Sequence, residues 1–69
     1  MPIYFANKNE TYSIKQIMGT DKVKLHLQTL GFTVGEPVML VNKVDDNVIV
    51  KIKGVSLAIS KELAKRIIV

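Results

Sequence analysis

The sequence predicts a mainly β fold, a small barrel of about five antiparallel strands with one short α-helix after the first strand. Apolar and polar residues alternate through most of the second half of the chain, which indicates strands with one buried and one exposed face. Only one stretch has apolar residues at helical spacing, and short turn signals separate the apolar runs. We therefore expect residues 1–69 to form a single domain.

A core of aliphatic side chains must hold this domain together. Apolar residues make up 48% of the chain and aromatic residues 6%, so Val, Ile and Leu dominate. There is no cysteine, and neither a disulfide nor a thiolate metal site adds stability. No apolar run approaches the roughly 18 residues of a membrane span, and no basic segment followed by an apolar stretch marks a secretory signal. We expect a cytoplasmic protein.

The chain begins with an arm and a first strand. The arm is formed by residues 1–10, in which we expect Tyr4 or Phe5 to pack over one end of the barrel. The first strand is predicted over Thr11–Met18, where apolar and polar residues alternate. Ile17 breaks this alternation, so we expect a bend or a bulge there.

The helix is predicted over Asp21–Leu30, with Asp21 as its N-terminal cap and Gly31 just beyond its C-terminal end. Leu25 lies about 200° around the helix from Val23, at roughly 100° per residue, so it should be at least partly exposed. An apolar stripe at spacing i, i+4 and i+7 is expected to face the core, namely Val23, Leu27 and Leu30.

The remaining residues alternate as antiparallel strands with short connections. A largely apolar strand is predicted over Val38–Val44, followed by a turn at Asp45-Asp46-Asn47. Gly54 permits a tight hairpin between the next two strands. Ser60 is predicted to cap one helical turn, and Ile67–Val69 to form a last short strand. The residues expected to point inward from the two hairpin strands are Val48, Val50 and Ile52, and then Val55, Leu57 and Ile59.

The order of these signals resembles the FeoA family. The helix ends in Leu30-Gly31-Phe32, and Val34-Gly35 and a strand from Pro37 follow, similar to the family's Leu-Gly pair with a second Gly two to three residues later. The hairpin strands and the closing segment from Ala58 to Val69 are also similar to the family pattern. The resemblance covers the chain from about Tyr12 to Val69.

This resemblance implies an SH3-like barrel and an accessory role beside FeoB, the membrane ferrous iron transporter with a cytosolic GTPase domain. Gly31, Gly35 and Gly54 are then structural turn positions. Asn9, before Glu10, stands where relatives often carry glycine, and asparagine tolerates the same left-handed backbone. The sequence leaves open whether the protein forms homo-oligomers and whether it activates or inhibits its partner.

We assign no catalytic, cofactor-binding or metal-binding residue. His26 is the only histidine, and nucleophilic catalysis would need it beside a hydroxyl and a carboxylate. With Asp21 or Glu36 it supplies at most a partial set of ligands for ferrous iron. The acids of the Asp45-Asp46-Asn47 turn lack the spacing of a calcium loop, and no phosphate-binding loop for GTP is present. We expect the protein not to be an enzyme and to need no cofactor.

Two other functions are alternatives. A net charge of +4 fits a small basic barrel that binds RNA or DNA, but Lys51 and Lys53 share a sheet face without an aromatic residue between them. None of the four aromatic residues lies on the strands from Val38 to Ile59. The barrel also resembles the regulatory domain of iron-dependent repressors, although no DNA-reading helix pair accompanies it here. We therefore do not expect nucleic acid to be the partner.

The predicted docking surface for the transporter is an exposed apolar residue on the helix with a polar rim. Leu25 is its centre, because interfaces favour apolar anchors ringed by polar groups. The alternative is that Leu25 packs against the N-terminal arm near Tyr4 or Phe5. The face with Lys51 and Lys53 is the second choice for docking. The rim residues are Lys24, His26, Gln28 and Thr29.

The sequence predicts that the purified protein neither hydrolyses GTP nor holds ferrous iron tightly. The first expectation follows from the missing phosphate-binding loop, and the second from the sparse set of nitrogen and oxygen ligands. Phosphate release and metal analysis after anaerobic gel filtration measure the two properties. Stoichiometric iron that stays with the protein through the column would contradict the second expectation.

Overall fold

The structure is a computed structural model that describes all residues, Met1–Val69. A four-stranded antiparallel sheet and a two-stranded sheet enclose the core, and two short helices cover it, which confirms the mainly β prediction. The strands are β1 (Thr11–Ser13), β2 (Gln16–Ile17), β3 (Pro37–Val44), β4 (Asn47–Ile52), β5 (Val55–Ser60) and β6 (Ile67–Ile68). The helices are α1 (Asp21–Thr29) and α2 (Lys61–Ala64), and a 3₁₀ helix (Ile3–Phe5) precedes β1.

The core is centred on β3 and β4, which pair over most of their length. Val38 lies opposite Ile52 and Leu40 opposite Val50, and all four side chains are buried. Their neighbours in sequence face outward, as the pleat of a strand requires. After Leu40 the register shifts by one residue at a bulge. The inward alternation predicted for β4 is thereby confirmed, whereas Val55 at the start of β5 is exposed.

The predicted first strand is two strands. β1 pairs with β3, and β2 pairs with β6, so the single strand Thr11–Met18 is wrong. The change of sheet falls between Ile14, whose N–H donates to the carbonyl of Glu36, and Lys15, whose N–H donates to the carbonyl of Ile68. The bend therefore lies between Ile14 and Lys15, earlier in the chain than the bend predicted at Ile17. The Ile14 side chain, next to the bend, is buried in the core. The hydrogen-bonded ladder does not close into one ring, because β1 and β5 remain the edges of the larger sheet.

Hydroxyl side chains cap both α-helices. The cap of α1 is Thr20, whose Oγ1 accepts a hydrogen bond from the N–H of Val23 at 3.3 Å, so the prediction of Asp21 as the cap is wrong. Asp21 is the first helical residue, and its negative charge interacts favourably with the positive end of the helix dipole. The cap of α2 is Ser60, as predicted, and its Oγ accepts from the N–H of Leu63 at 3.2 Å.

The apolar stripe of α1 is narrower than its spacing predicts. Leu27 is fully buried and Val23 packs partly against the core, but Leu30 is exposed. Leu30 is the C-terminal cap residue, so it lies where the chain leaves the helix. Phe32 is buried two residues later, and its N–H donates to the carbonyl of Leu27. The large aromatic side chain, rather than Leu30, fills the core below the end of α1.

The N-terminal arm is anchored by a residue other than those predicted. Ile3 is fully buried, Tyr4 packs partly against the core, and Phe5 is exposed. Backbone contacts hold the arm against the end of the chain, since Pro2 forms an isolated bridge with Ile68. Ile3 is therefore the apolar anchor of the arm. The predicted packing of Tyr4 or Phe5 over the barrel holds in part for Tyr4 and does not hold for Phe5.

Positive backbone angles occur at the three glycines predicted as turn positions, Gly31, Gly35 and Gly54. Gly54 has φ +76° and follows Lys53, which has φ +51°, so both central residues of the β4–β5 hairpin are left-handed, as a type I′ turn requires. The β3–β4 turn is shorter than predicted, because Asn47 already belongs to β4. Asn9 has φ +65°, the conformation in which asparagine can replace glycine.

Ile52→Ala should lower the free energy of unfolding by about 2–5 kcal/mol, because it leaves a cavity in the core beside Val38. Ile52 is only 2% exposed. Ile49→Ala is the matched control, since Ile49 lies on the same strand and is only half-buried. Chemical denaturation measures both. A loss below about 1 kcal/mol for Ile52→Ala, or equal losses for the two variants, would contradict the strand register.

Thr20→Ala should lower the free energy of unfolding by about 1 kcal/mol through loss of the cap. Asp21→Ala should remove only the interaction with the helix dipole, which salt screens. In denaturation experiments at high salt, the loss should persist for Thr20→Ala and largely vanish for Asp21→Ala. If instead the loss persists at high salt for Asp21→Ala and vanishes for Thr20→Ala, Asp21 is the capping residue.

Candidate functional site

The outward face of α1 carries an exposed leucine. Leu25 is 64% exposed, whereas Leu27, two residues further along, is fully buried. Because two residues advance a helix by about 200°, Leu25 points away from the core on which Leu27 packs. The exposure predicted for Leu25 is confirmed.

Four exposed polar residues surround this leucine. Gln28 and Thr29 follow it by three and four residues, so they lie beside it on the same face of α1. The Thr29 hydroxyl donates to the backbone carbonyl of Leu25 at 2.9 Å. This hydrogen bond holds the Thr29 side chain against the helix. Lys24 and His26 flank Leu25 on its two sides. We call these five residues the α1 patch; the structure brings them together on one helix, with an apolar centre and a polar rim.

Leu25 is not covered by the N-terminal arm. The arm is anchored through Ile3, and the ring of Tyr4 lies instead beside lysines of β3 and α2. A leucine packed beneath Tyr4 or Phe5 would be largely buried, and Leu25 is not. The alternative in which Leu25 packs against the arm is therefore wrong.

The second predicted docking face contains a shallow hollow of about 380 Å³ on the outer side of the larger sheet. Thr11, Met39 and Lys51 lie side by side across β1, β3 and β4 and form part of its lining. Lys53 Nζ lies 3.1 Å from Glu36 Oε1 at its border. The Lys53 side chain is 59% exposed and that of Glu36 22%, so solvent screens the pair mainly from the lysine side and its contribution to stability is small. Apolar side chains line part of the hollow, together with the ammonium group of Lys51, which forms no ion pair. No aromatic residue lines it.

A cluster of aromatic rings and lysines is the feature that sequence reasoning missed. The Nζ atoms of Lys43, Lys65 and Lys61 lie 4.2, 5.7 and 6.0 Å from the centroid of the Tyr4 ring. Phe5 packs edge-on against Tyr4, with centroids 5.1 Å apart, and is 59% exposed. We call these five residues the aromatic–lysine cluster. The aromatic pair in the arm was visible in the sequence, but nothing local indicated which lysines would reach it.

The acidic residues and the single histidine, unlike the lysines of the cluster, are not gathered at one place. No group of three or more His, Asp and Glu side chains lies close enough together to hold a metal ion. His26 is exposed on α1, and its side chain makes no hydrogen bond or ion pair within the chain. Neither helix is long and apolar enough to cross a membrane.

A family model for the FeoA domain matches residues 1–69, which is the whole chain. The chain belongs to the FeoA domain family. This confirms the resemblance seen in the turn glycines and hairpin strands. No curated protein matches the chain significantly.

Solved structures share the fold at low sequence identity. A crystal structure of an iron uptake regulatory protein, FeoA, is 24% identical, with a TM-score of 0.87 over 97% of this chain and 91% of that one. The zinc complex of FeoA from Stenotrophomonas maltophilia, described as a prokaryotic SH3 domain protein, is 22% identical, with a TM-score of 0.82 over 99% and 87%. The SH3-like fold expected for the family is thus confirmed.

The same fold occurs inside a larger regulator. A manganese-dependent transcriptional repressor is 10% identical, with a TM-score of 0.85 over 97% of this chain but only 39% of the repressor. At this identity the match shows the shape of the domain alone. This chain therefore matches the shape of one part of a longer protein.

Proposed function

We propose that this protein is a cytosolic accessory protein of bacterial ferrous iron uptake that binds and modulates a FeoB-type membrane transporter. Membership of the FeoA family over the whole chain supports this proposal. Structures that share its fold come from proteins named for iron uptake, and the Stenotrophomonas maltophilia protein is described as a candidate activating factor for ferrous iron transport. The protein acts by contact and not by catalysis.

The exposed leucine of the α1 patch is the observation that carries the proposal. Leu25 lies on the side of α1 opposite the core and is 64% exposed, so folding leaves most of its side chain in water. Covering a leucine side chain with a partner is worth about 1.5–3 kcal/mol, a large share of the energy of a small interface. The rim of lysine, histidine, glutamine and threonine can exchange its water for polar groups of the partner at little cost.

The patch is also suited to a partner that must be released. A single apolar anchor on a short helix offers a small interface, and small interfaces are typical of transient regulatory contacts. Lys24 and His26 are exposed and unpaired, so acidic groups of a partner can reach them. We therefore place the transporter's contact on the outward face of α1.

Leu25→Asp should leave the fold intact and weaken binding to the cytosolic part of the transporter by at least ~2 kcal/mol, which is about thirtyfold. The physical reason is that an aspartate cannot be buried at an apolar centre without a partner for its charge. Circular dichroism and thermal melting check the fold, and titration with the purified cytosolic part measures binding.

Val44→Asp is the matched control. Val44 is an exposed apolar residue at the far end of β3, so the variant introduces the same charge away from α1. Its binding should stay close to that of the wild type. Unchanged folding and unchanged binding of Leu25→Asp would remove the α1 patch as the docking surface and direct attention to the face with Lys51 and Lys53.

A further inference from the structure

We propose that the aromatic–lysine cluster is a second binding surface, one that holds the protein against the anionic headgroups of a phospholipid bilayer. The cluster shares no residue with the α1 patch. Its ligand would be the negatively charged lipid surface itself, with Phe5 entering the headgroup region and the lysines around it contacting phosphate groups. This property is independent of the contact with the transporter.

Positive charge without an acidic partner accumulates around the Tyr4 ring. Lys43, Lys61 and Lys65 come from β3 and α2 and its C-terminal cap, yet all three ammonium groups lie within 6.0 Å of the centroid of one ring. None of them forms an ion pair, since the only salt bridge of the chain joins Lys53 and Glu36. Three like charges around one ring repel one another, and the Tyr4 ring offsets this repulsion only in part. An anionic surface would remove that repulsion.

Acidic side chains near the cluster do not neutralise it. Asp46 and Glu62 line a small hollow together with Lys61, but neither carboxylate comes within ion-pair distance of that lysine. Neither Lys43 nor Lys65 lines that hollow, and neither forms an ion pair with any acidic residue of the chain. The cluster therefore presents a net positive face.

The aromatic ring of Phe5 is exposed at the surface beside these lysines. Phe5 is 59% exposed, although an aromatic side chain of this size is usually covered. It sits at the end of the 3₁₀ helix that Ile3 anchors in the core, and Tyr4 supports it edge-on at an interplanar angle of 83°. Lys43 Nζ lies 5.9 Å from the centroid of the Phe5 ring. An apolar ring beside cations is the arrangement that peripheral proteins use at a lipid–water interface.

A bilayer fits this geometry better than a nucleic acid does. Proteins that bind single strands stack successive bases on several exposed aromatic faces along a basic groove. Here only Phe5 is exposed, because the Tyr4 ring is packed against Phe5 and covered by lysines. A lipid surface requires a single apolar wedge and surrounding cations. Each lysine close to such a surface raises the partition coefficient by about fivefold.

Vesicle flotation tests the proposal with the purified protein. We expect binding to large unilamellar vesicles of equimolar phosphatidylglycerol and phosphatidylcholine, and none to vesicles of phosphatidylcholine alone. Added salt should weaken the binding, since it screens the lysines. Equal binding to the two kinds of vesicle, or no binding to either, would overturn the proposal.

Two matched pairs of variants locate the surface. Lys43→Gln with Lys65→Gln should weaken binding to the anionic vesicles by about twenty- to thirtyfold. Lys22→Gln with Lys51→Gln removes the same net charge elsewhere on the surface and should weaken it only slightly. Equal losses in the two double variants would mean that net charge alone drives binding, and would overturn the proposal.

A second pair isolates the ring, with all variants checked by circular dichroism. Phe5→Ala should reduce the binding that survives at high salt, whereas Val34→Ala, at another exposed apolar residue, should not. A short single-stranded DNA is the competing probe. If it binds more tightly than the vesicles, and the cluster variants weaken that binding instead, the surface recognises nucleic acid and the proposal fails. Because no transporter is present, these results do not depend on the α1 patch.

Discussion

The pairing of β3 with β4 is the constraint on which the rest of the structure depends. The chain has no cysteine and therefore no disulfide, and the inward row in which Val38 faces Ile52 and Leu40 faces Val50 lies at the centre of its buried core. A slip of one residue would turn this whole row to the solvent, so burial specifies the register strongly. The bulge after Leu40 curves the strand where the sheet must bend around the core. The helices and the second sheet cover what these two strands leave open.

The second sheet joins the two ends of the chain and thereby decides what the N-terminal arm displays. β6 pairs with β2, the N–H of Val69 donates to the carbonyl of Met1, and Pro2 bridges to Ile68. These contacts hold the 3₁₀ helix in place while Ile3 fills the core. Tyr4 and Phe5 are then directed toward the surface formed by β3 and α2, and this explains how an arm with little pattern of its own comes to lie among lysines.

The two proposed surfaces use different physical interactions. The α1 patch has one apolar side chain and a polar rim, which suits a protein partner with a complementary apolar recess. The aromatic–lysine cluster has concentrated positive charge and one exposed ring, which suits an extended anionic surface. An accessory protein of a membrane transporter would gain from both, because adsorption to the bilayer raises its local concentration near the transporter.

The sequence by itself determined the strands of the hairpins, the position of α1, the turn glycines and the exposure of Leu25, because all of these depend on short local patterns. It did not determine the division of the first strand, because that follows from which distant strand each half pairs with. Nor did it reveal the aromatic–lysine cluster. Tyr4, Lys43 and Lys65 are far apart in the chain, and only the tertiary structure brings their side chains together around one ring.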